Sequence, residues 1–279
     1  MTKIGLVLEG GAMRGMYTAG VLDTFMDSNI KVDGIIGVSA GALFGVNYYS
    51  NQKGRAIRYN KRFCKDRRYM SLWSLLFTGN IINKDFAFYK VSKELDIFDD
   101  EKFIKNNTGY RVVVTNVETG KAEYIELDKC LENLELLRAT SAMPIVSKIV
   151  DIDAKKYLDG AIADSIPIDK CIELGYDKIN VFLTRPLDYR KQPFSKSIIK
   201  LANLKYKKYP NFIDAMKNRY KVYNETIEKI IDLENKKEIF VIRPSKPINL
   251  KVIERNEYIL HYVYDLGVID AKNKLKEFI

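Results

Sequence analysis

Residues 32–50 read "VDGIIGVSAGALFGVNYYS". A β-branched apolar run ends at Val38, Ser39 stands between Gly37 and Gly41 in a G-x-S-x-G frame, and apolar residues then continue at helical spacing. A strand therefore gives way to a helix at Ser39. In that context the frame reads as a nucleophile elbow, where a strained turn presents a serine hydroxyl at the carboxyl end of a sheet strand. The bland alternative is a small residue in a tight turn. The usual elbow also recruits a histidine, and this chain has one, His261.

Working outward from the elbow, "KIGLVL", "DGIIGV", "YRVVVTNV", "KAEYIEL", "KKYLDG", "KINVFLT" and "EIFVIRP" read as strands. Helices are expected at "GMYTAGVLDTFMDS", "AGALFGVNYYSN", "LELLRATS", "IPIDKCIELG", near 212–234 and at about 254–277. In the 212–234 helix, Ile213, Met216, Tyr220, Tyr223, Ile227 and Ile230 form a stripe suited to packing on a sheet. Alternating strands and helices predict an α/β fold with helices on both faces of a largely parallel sheet. Ligands in such sheets sit beyond the carboxyl ends of the strands, which is where Ser39 falls. No repeat or linker divides the chain. It is read as a single domain over 1–279, with a basic helical excursion at about 190–235.

The 279 residues, 47% of them apolar, are enough for a substantial core. Three cysteines, Cys64, Cys130 and Cys171, lie far apart with no C-x-x-C spacing, which suggests neither a disulfide framework nor a zinc site. No run approaches the ~18 apolar residues of a membrane span, so a soluble, unprocessed, cytoplasmic protein is expected. The formal charge of +10 favours anionic partners. Eight basic residues and one acidic fall in 53–68, ten and one in 190–221, and the two blocks suggest one basic face. "LKYKKYPNF" mixes Lys and Tyr as a nucleic-acid surface does. No nucleic-acid motif accompanies it, so contact with an anionic membrane surface is the better use of the charge, plain solubility being the alternative. Asp151 and Asp153 alternate along an expected strand and could mimic a metal pair; a solvated strand face is preferred, and no metal is expected.

In "GLVLEGGAMRG", residues 5–15, a strand ends at Glu9 and Gly10, Gly11 and Gly15 surround the turn into a helix. Glycines let amides approach a ligand and a helix start leaves N–H groups unpaired, so the loop is suited to anions. A dinucleotide fingerprint would want glycine at Ala12 and an acidic residue closing the next strand, so no cofactor is expected. Arg14 places a cation at a helix start, where it is unfavourable unless an anion shares the site. Such a loop could hold a developing oxyanion, each donor contributing ~3 kcal/mol to the transition state. In "KKYLDGAIADSIPID", Asp159 closes a strand and Gly160 and Ala161 open a loop. With imidazole scarce, Asp159 is the next candidate base for Ser39. A solvated aspartate, with a pKa of about 3.9, is a poor base, so burial must raise its proton affinity. His261 lies on a helix whose core face is Leu260, Val263 and Leu266, and is expected to be a surface or tyrosine-packed residue.

Taken together and in this order, "EGGAMRG", "GVSAG" and "DGA" resemble the three signature motifs of the patatin-like phospholipase family, and the text over about 4–50 and 110–185 resembles its bacterial members. The resemblance implies a three-layer α/β/α patatin-like sandwich and hydrolysis of lipid acyl esters by a Ser-Asp dyad without histidine or cofactor. Position by position, Ser39 would be the nucleophile and Asp159 the base. The backbone of Gly10, Gly11, Ala12 and Gly15, with Arg14 adjacent, would form the oxyanion hole. Ala12 stands where many members have a third glycine. The substrate implied is a phospholipid or another acyl ester. A catalytically weak membrane-surface regulator keeping the same fold is the alternative. The head group, the chain length and the oligomeric state are not set by the sequence.

Overall fold

A computed structural model describes residues 2–276. Five strands run parallel: β1 (Ile4–Leu8), β2 (Gly34–Val38), β3 (Gly109–Asn116), β7 (Lys178–Phe182) and β8 (Ile239–Ile242). Three more, β4 (Ala122–Glu126), β5 (Val150–Ile152) and β6 (Lys155–Asp159), join antiparallel around β3. From β1 the chain builds outward through β2 to β3 and later returns to β1's other side for β7 and β8. The reversal makes the carboxyl end of β1 a topological switch point, where a crevice opens in open α/β sheets.

The pleat sorts side chains to two faces. Leu6, Leu8, Ile35, Val112 and Val114 pack with α1 (Gly15–Asp27), α2 (Ala40–Tyr49), α3 (Arg55–Phe63), α6 (Leu134–Thr140) and α10 (Glu257–Leu275). Val7, Ile36, Val113, Val181 and Val241 pack with α7 (Ile168–Glu173) and the second half of α9 (Pro210–Asn235). These are the three expected layers. The stripe expected on α9 is buried except for half-buried Tyr220. The C-terminal part of the chain is built into the rest: β8 extends the sheet, and α10 crosses α1 so closely that a Cβ on Gly20 would lie 2.1 Å from the carbonyl oxygen of Tyr264.

All seven strands expected from the sequence are present. The strand expected around Asp151 is β5, and the structure adds α3, α4 (Leu72–Thr78), a π-helix over Lys84–Leu95, α5 (Asp100–Lys105) and α8 (Lys196–Lys205). Asp151 lies on β5, whereas Asp153 sits at φ 49° in the β5–β6 turn. The two aspartates therefore do not share a strand face. Among the described residues no group of three His, Cys, Asp or Glu side chains could hold a metal, and no helix is long and apolar enough to cross a membrane. The three cysteines are buried free thiols.

Five of the eight cations in the first basic block pair with carboxylates, while all of these but Arg55 stay exposed. Arg55 is buried, its guanidinium 3.2 Å from Asp96, and Arg58 reaches the same carboxylate at 2.8 Å. Lys53, Lys65 and Arg68 pair with Asp27, Glu257 and Asp66. Apart from Asp66, which lies within the block, the carboxylates come from elsewhere in the chain, which sequence proximity could not reveal.

Candidate active site

β2 is buried throughout and ends at Val38. Ser39 then takes φ 51° and ψ −122° before α2 starts. A side chain held at positive φ stores about 1–3 kcal/mol, so the surroundings must impose it. The Ser39 N–H donates to Thr140 Oγ1 at 2.8 Å, and that hydroxyl donates to the Val113 carbonyl at 2.6 Å. On the α2 side, a Cβ on Gly41 would fall 2.5 Å from the Leu8 carbonyl oxygen, so glycine is what lets the helix start so near β1. Gly37 likewise leaves no room, a Cβ there lying 2.6 Å from Ala42 Cα.

Asp159 comes from 120 residues further along the chain. Val113 of β3 pairs with Val38 of β2, and Val114 pairs with Asp159 of β6, while β4 takes the opposite edge of β3. β6 therefore continues the ladder where β2 leaves it, and its last residue arrives at the elbow. Ser39 Oγ donates to Asp159 Oδ2 at 3.0 Å. Asp159 Oδ1 accepts from the Ala161 N–H at 2.9 Å, and Thr115 Oγ1 donates to the Asp159 carbonyl at 2.8 Å. A Cβ on Gly160 would strike the Val113 carbonyl at 2.1 Å, which makes the residue after the aspartate a glycine. Burial raises the Asp159 pKa, opposed by the Ala161 amide, Arg219, the Ser39 hydroxyl and Lys191. A carboxylate with increased proton affinity is thus in contact with a hydroxyl.

The glycine loop packs against this pair from the end of β1. A Cβ on Gly10 would lie 3.1 Å from Ser39 Cβ, and the N–H groups of Gly10 and Gly11 donate to no acceptor among the described residues. Ala12, at φ 48°, and Met13 line the pocket described below. Gly11 and Gly15 are also spacers: side chains there would meet Thr184 Oγ1 at 2.7 Å and Phe44 Cε2 at 2.6 Å. The Arg14 side chain does not line the pocket. Its Nε is buried without a partner, and burial followed by Arg185 holds its pKa down.

Ser39 opens onto an apolar pocket of about 870 Å³ of empty space, mouth included, with Leu43, Phe44, Phe88, Val91 and Leu137 on its walls. The π-helix supplies Phe88 and Val91 and so forms one wall.

The site has parts that motif reading does not reach. Thr140 and Thr115 are buried hydroxyls that fix Ser39 and Asp159. Glu9 is buried and accepts from the Thr184 N–H at 2.5 Å, from Thr184 Oγ1 at 3.1 Å and from the Tyr223 hydroxyl at 3.0 Å. Arg219 Nε donates to the Ala161 carbonyl at 2.6 Å. Each acts across more than forty residues, and an isolated threonine or arginine announces no such partner. His261 lies on α10, half exposed, with Nε2 3.6 Å from Asp265 and its ring stacked on Tyr264 at 6.1 Å. It does not line the pocket.

A family model described as patatin-like phospholipase matches residues 6–172, and a second, described as a domain of unknown function, matches residues 209–279. Over 272 residues the chain is 28% identical to YjjU of Escherichia coli, described as uncharacterized, covering 95% of this chain and 75% of that protein. It is 27% identical over 187 residues to a probable lipid hydrolase of invertebrate iridescent virus 6, covering 60% of this chain and 63% of that protein. It is 28% identical to a lysophospholipase of Aspergillus niger, covering 63% of this chain but 11% of that protein. Among solved structures, VipD from Legionella pneumophila aligns with a TM-score of 0.46 and 10% identity, covering 99% of this chain and 67% of that one.

Proposed function

The chain belongs to the patatin-like phospholipase family, and on that premise we propose that it is a serine lipid acyl hydrolase working through Ser39 and Asp159. The observation that carries the reading is the 3.0 Å hydrogen bond from a serine hydroxyl on a positive-φ elbow to a buried carboxylate. Asp159 takes the proton as Ser39 Oγ attacks the ester carbonyl. The unpaired amides of Gly10 and Gly11, with that of Ala12, face the developing oxyanion, and Arg14 adds positive charge behind them. The tetrahedral intermediate expels the alcohol, which takes the proton back from Asp159, leaving an acyl-serine. Water, deprotonated by Asp159, then releases the fatty acid. The acyl chain lies in the apolar pocket, whose walls exclude water from the base.

A fluorophosphonate tests this directly. The wild-type protein is expected to become covalently labelled with loss of esterase activity, and Ser39→Ala to remain unlabelled. A folded wild-type protein that resists labelling would instead favour the membrane-surface regulator.

The reading includes work at a lipid surface. α4 exposes Leu72, Trp73, Leu76 and Phe77, the last two at 78% and 66%, and it is flanked by Met70 and Ile82, which line the pocket. α8 exposes Ile198, Leu201 and Leu204 among lysines. Both helices are tied to one strip of chain. The Asn80 side chain accepts from the Lys148 N–H at 2.9 Å, and Lys205 Nζ donates to the carbonyls of Ile145 and Ser147 at 2.9 and 3.1 Å. Apolar side chains beside lysines next to the pocket suit an anionic membrane interface. Each large apolar residue inserted contributes about 1.5–3 kcal/mol. The double variant Leu76→Asp/Phe77→Asp is therefore expected to bind anionic vesicles at least about tenfold more weakly in cosedimentation, with an unchanged circular dichroism spectrum.

A further inference from the structure

Four cations that do not line the apolar pocket lie near one another at this end of the sheet, Arg14, Arg185, Lys191 and Arg219, with Arg219 and Lys191 acting on Asp159. They come from the loop after β1, the segment after β7 and α9, so the carboxyl edge of the sheet brings them together. Tyrosines hold two of them in place. The Arg185 guanidinium lies 4.2 Å over the Tyr189 ring, and Lys191 Nζ lies 4.0 Å over the Tyr223 ring. The two rings meet edge to face at 6.0 Å, and Tyr223 donates its hydroxyl to Glu9. Arg219 is fixed by the Ala161 carbonyl, two residues from Asp159.

What these cations lack is a carboxylate partner. Neighbouring Arg190 and Lys217 pair with Glu228 and Asp214, but among the described residues none of the four has an Asp or Glu within ion-pair distance. Their carboxylate neighbours are Glu9 and Asp159, and Glu9 is already bonded to Thr184 and Tyr223. Three guanidinium groups and one amine thus share two carboxylates. Burial holds Lys191 well below its usual basicity, reinforced by Arg219, Arg14 and Arg185. Crowding half-buried cations is unfavourable unless an anion completes the site. The needs of Asp159 do not explain the whole group: Arg219 and Lys191 are the cations that lower its pKa, whereas Arg14 and Arg185 gather with Glu9, Tyr189 and Tyr223.

We propose that this cluster of cations is a phosphate subsite, which receives the phosphate-bearing head group of a glycerophospholipid or lysophospholipid while the acyl chain occupies the apolar pocket at Ser39. Arg14 and Arg185 offer planar forks to the phosphate oxygens, and Lys191 offers a compact charge. The assignment of the ligand as substrate rests on the hydrolase reading above. The site itself does not.

Calorimetric titration of the folded Ser39→Ala protein separates the two. Glycerol 3-phosphate is expected to bind where glycerol does not, and Lys191→Met and Arg185→Met, each added to Ser39→Ala, to weaken it at least tenfold. No binding of glycerol 3-phosphate overturns the subsite, and a hydrolase that turns over only neutral esters would accompany that result. Binding without any turnover by the wild-type protein would sink the hydrolase reading and leave the subsite standing. Inorganic phosphate binding as tightly as a lysophospholipid would assign the cluster to free phosphate and overturn the head-group assignment. In turnover, the kcat/KM ratio of a lysophosphatidylglycerol to the monoacylglycerol of the same chain is expected to fall at least tenfold in Lys191→Met. Equal loss on both substrates would mean that the cations serve Asp159 alone.

Discussion

Ser39→Ala protein is expected to hydrolyse acyl esters about a million-fold more slowly than the wild type, the scale seen when a serine hydrolase loses its nucleophile. Purified protein assayed with a chromogenic ester gives the measurement. Loss of less than a hundredfold would mean that another group, or water activated directly by Asp159, carries the reaction. Ser39→Gly is expected to be equally inactive yet to melt at a higher temperature than Ser39→Ala. Both remove the hydroxyl, but only glycine relaxes at φ 51°. The pair therefore separates two properties of one residue, its chemistry and its strained backbone.

Asp159→Asn is expected to lower kcat by about 10³-fold, within the range for loss of a general base. Because burial raises the folded pKa of Asp159 above the ordinary aspartate value of 3.8, the wild-type rate should fall with acid at a higher pH than a solvated aspartate would give. The base works when deprotonated, so activity is present above the folded pKa and lost as pH drops through it. Stability runs the opposite way. A raised folded pKa means that the contribution of this group is fully present below 3.8 and lost as pH rises through the folded value. At neutral pH the charged Asp159 therefore weakens the fold, and Asp159→Asn should melt higher than the wild type while turning over far more slowly. A lower melting temperature together with a retained acid limb would exclude Asp159 as the base.

Ser39 and Asp159 were legible because each sits at the end of an expected strand with glycine beside it, Gly37 and Gly41 around Ser39 and Gly160 after Asp159, the residue that close backbone approach demands. The helices of the 55–105 region were not. Arg55 of α3 reads as surface charge, yet it is buried against Asp96, which exposed Arg58 also reaches. α4 shows apolar residues that face outward, so its pattern does not report a core face. The glycine loop was legible as backbone but not as geometry: Gly11 and Gly15 make room for Thr184 and Phe44, which no local reading discloses. Thr140 and Lys191 were invisible for the same reason, since their partners lie far away in sequence.

The meeting of β2 and β6 on one edge of β3 has a consequence for the life of the molecule in a cell. Strand side chains alternate, so a slip of one residue in the β3–β6 ladder would turn Asp159 to the opposite face and leave the Ser39 hydroxyl without its carboxylate. A nascent chain that has emerged only as far as α6 carries the complete elbow and the glycine loop, but no carboxylate at 159. On the proposed mechanism such a chain is inert, as is any copy whose sheet has closed in the wrong register. On that mechanism the β3–β6 ladder is in effect a safety catch, which withholds lipase activity from unfinished or misregistered copies.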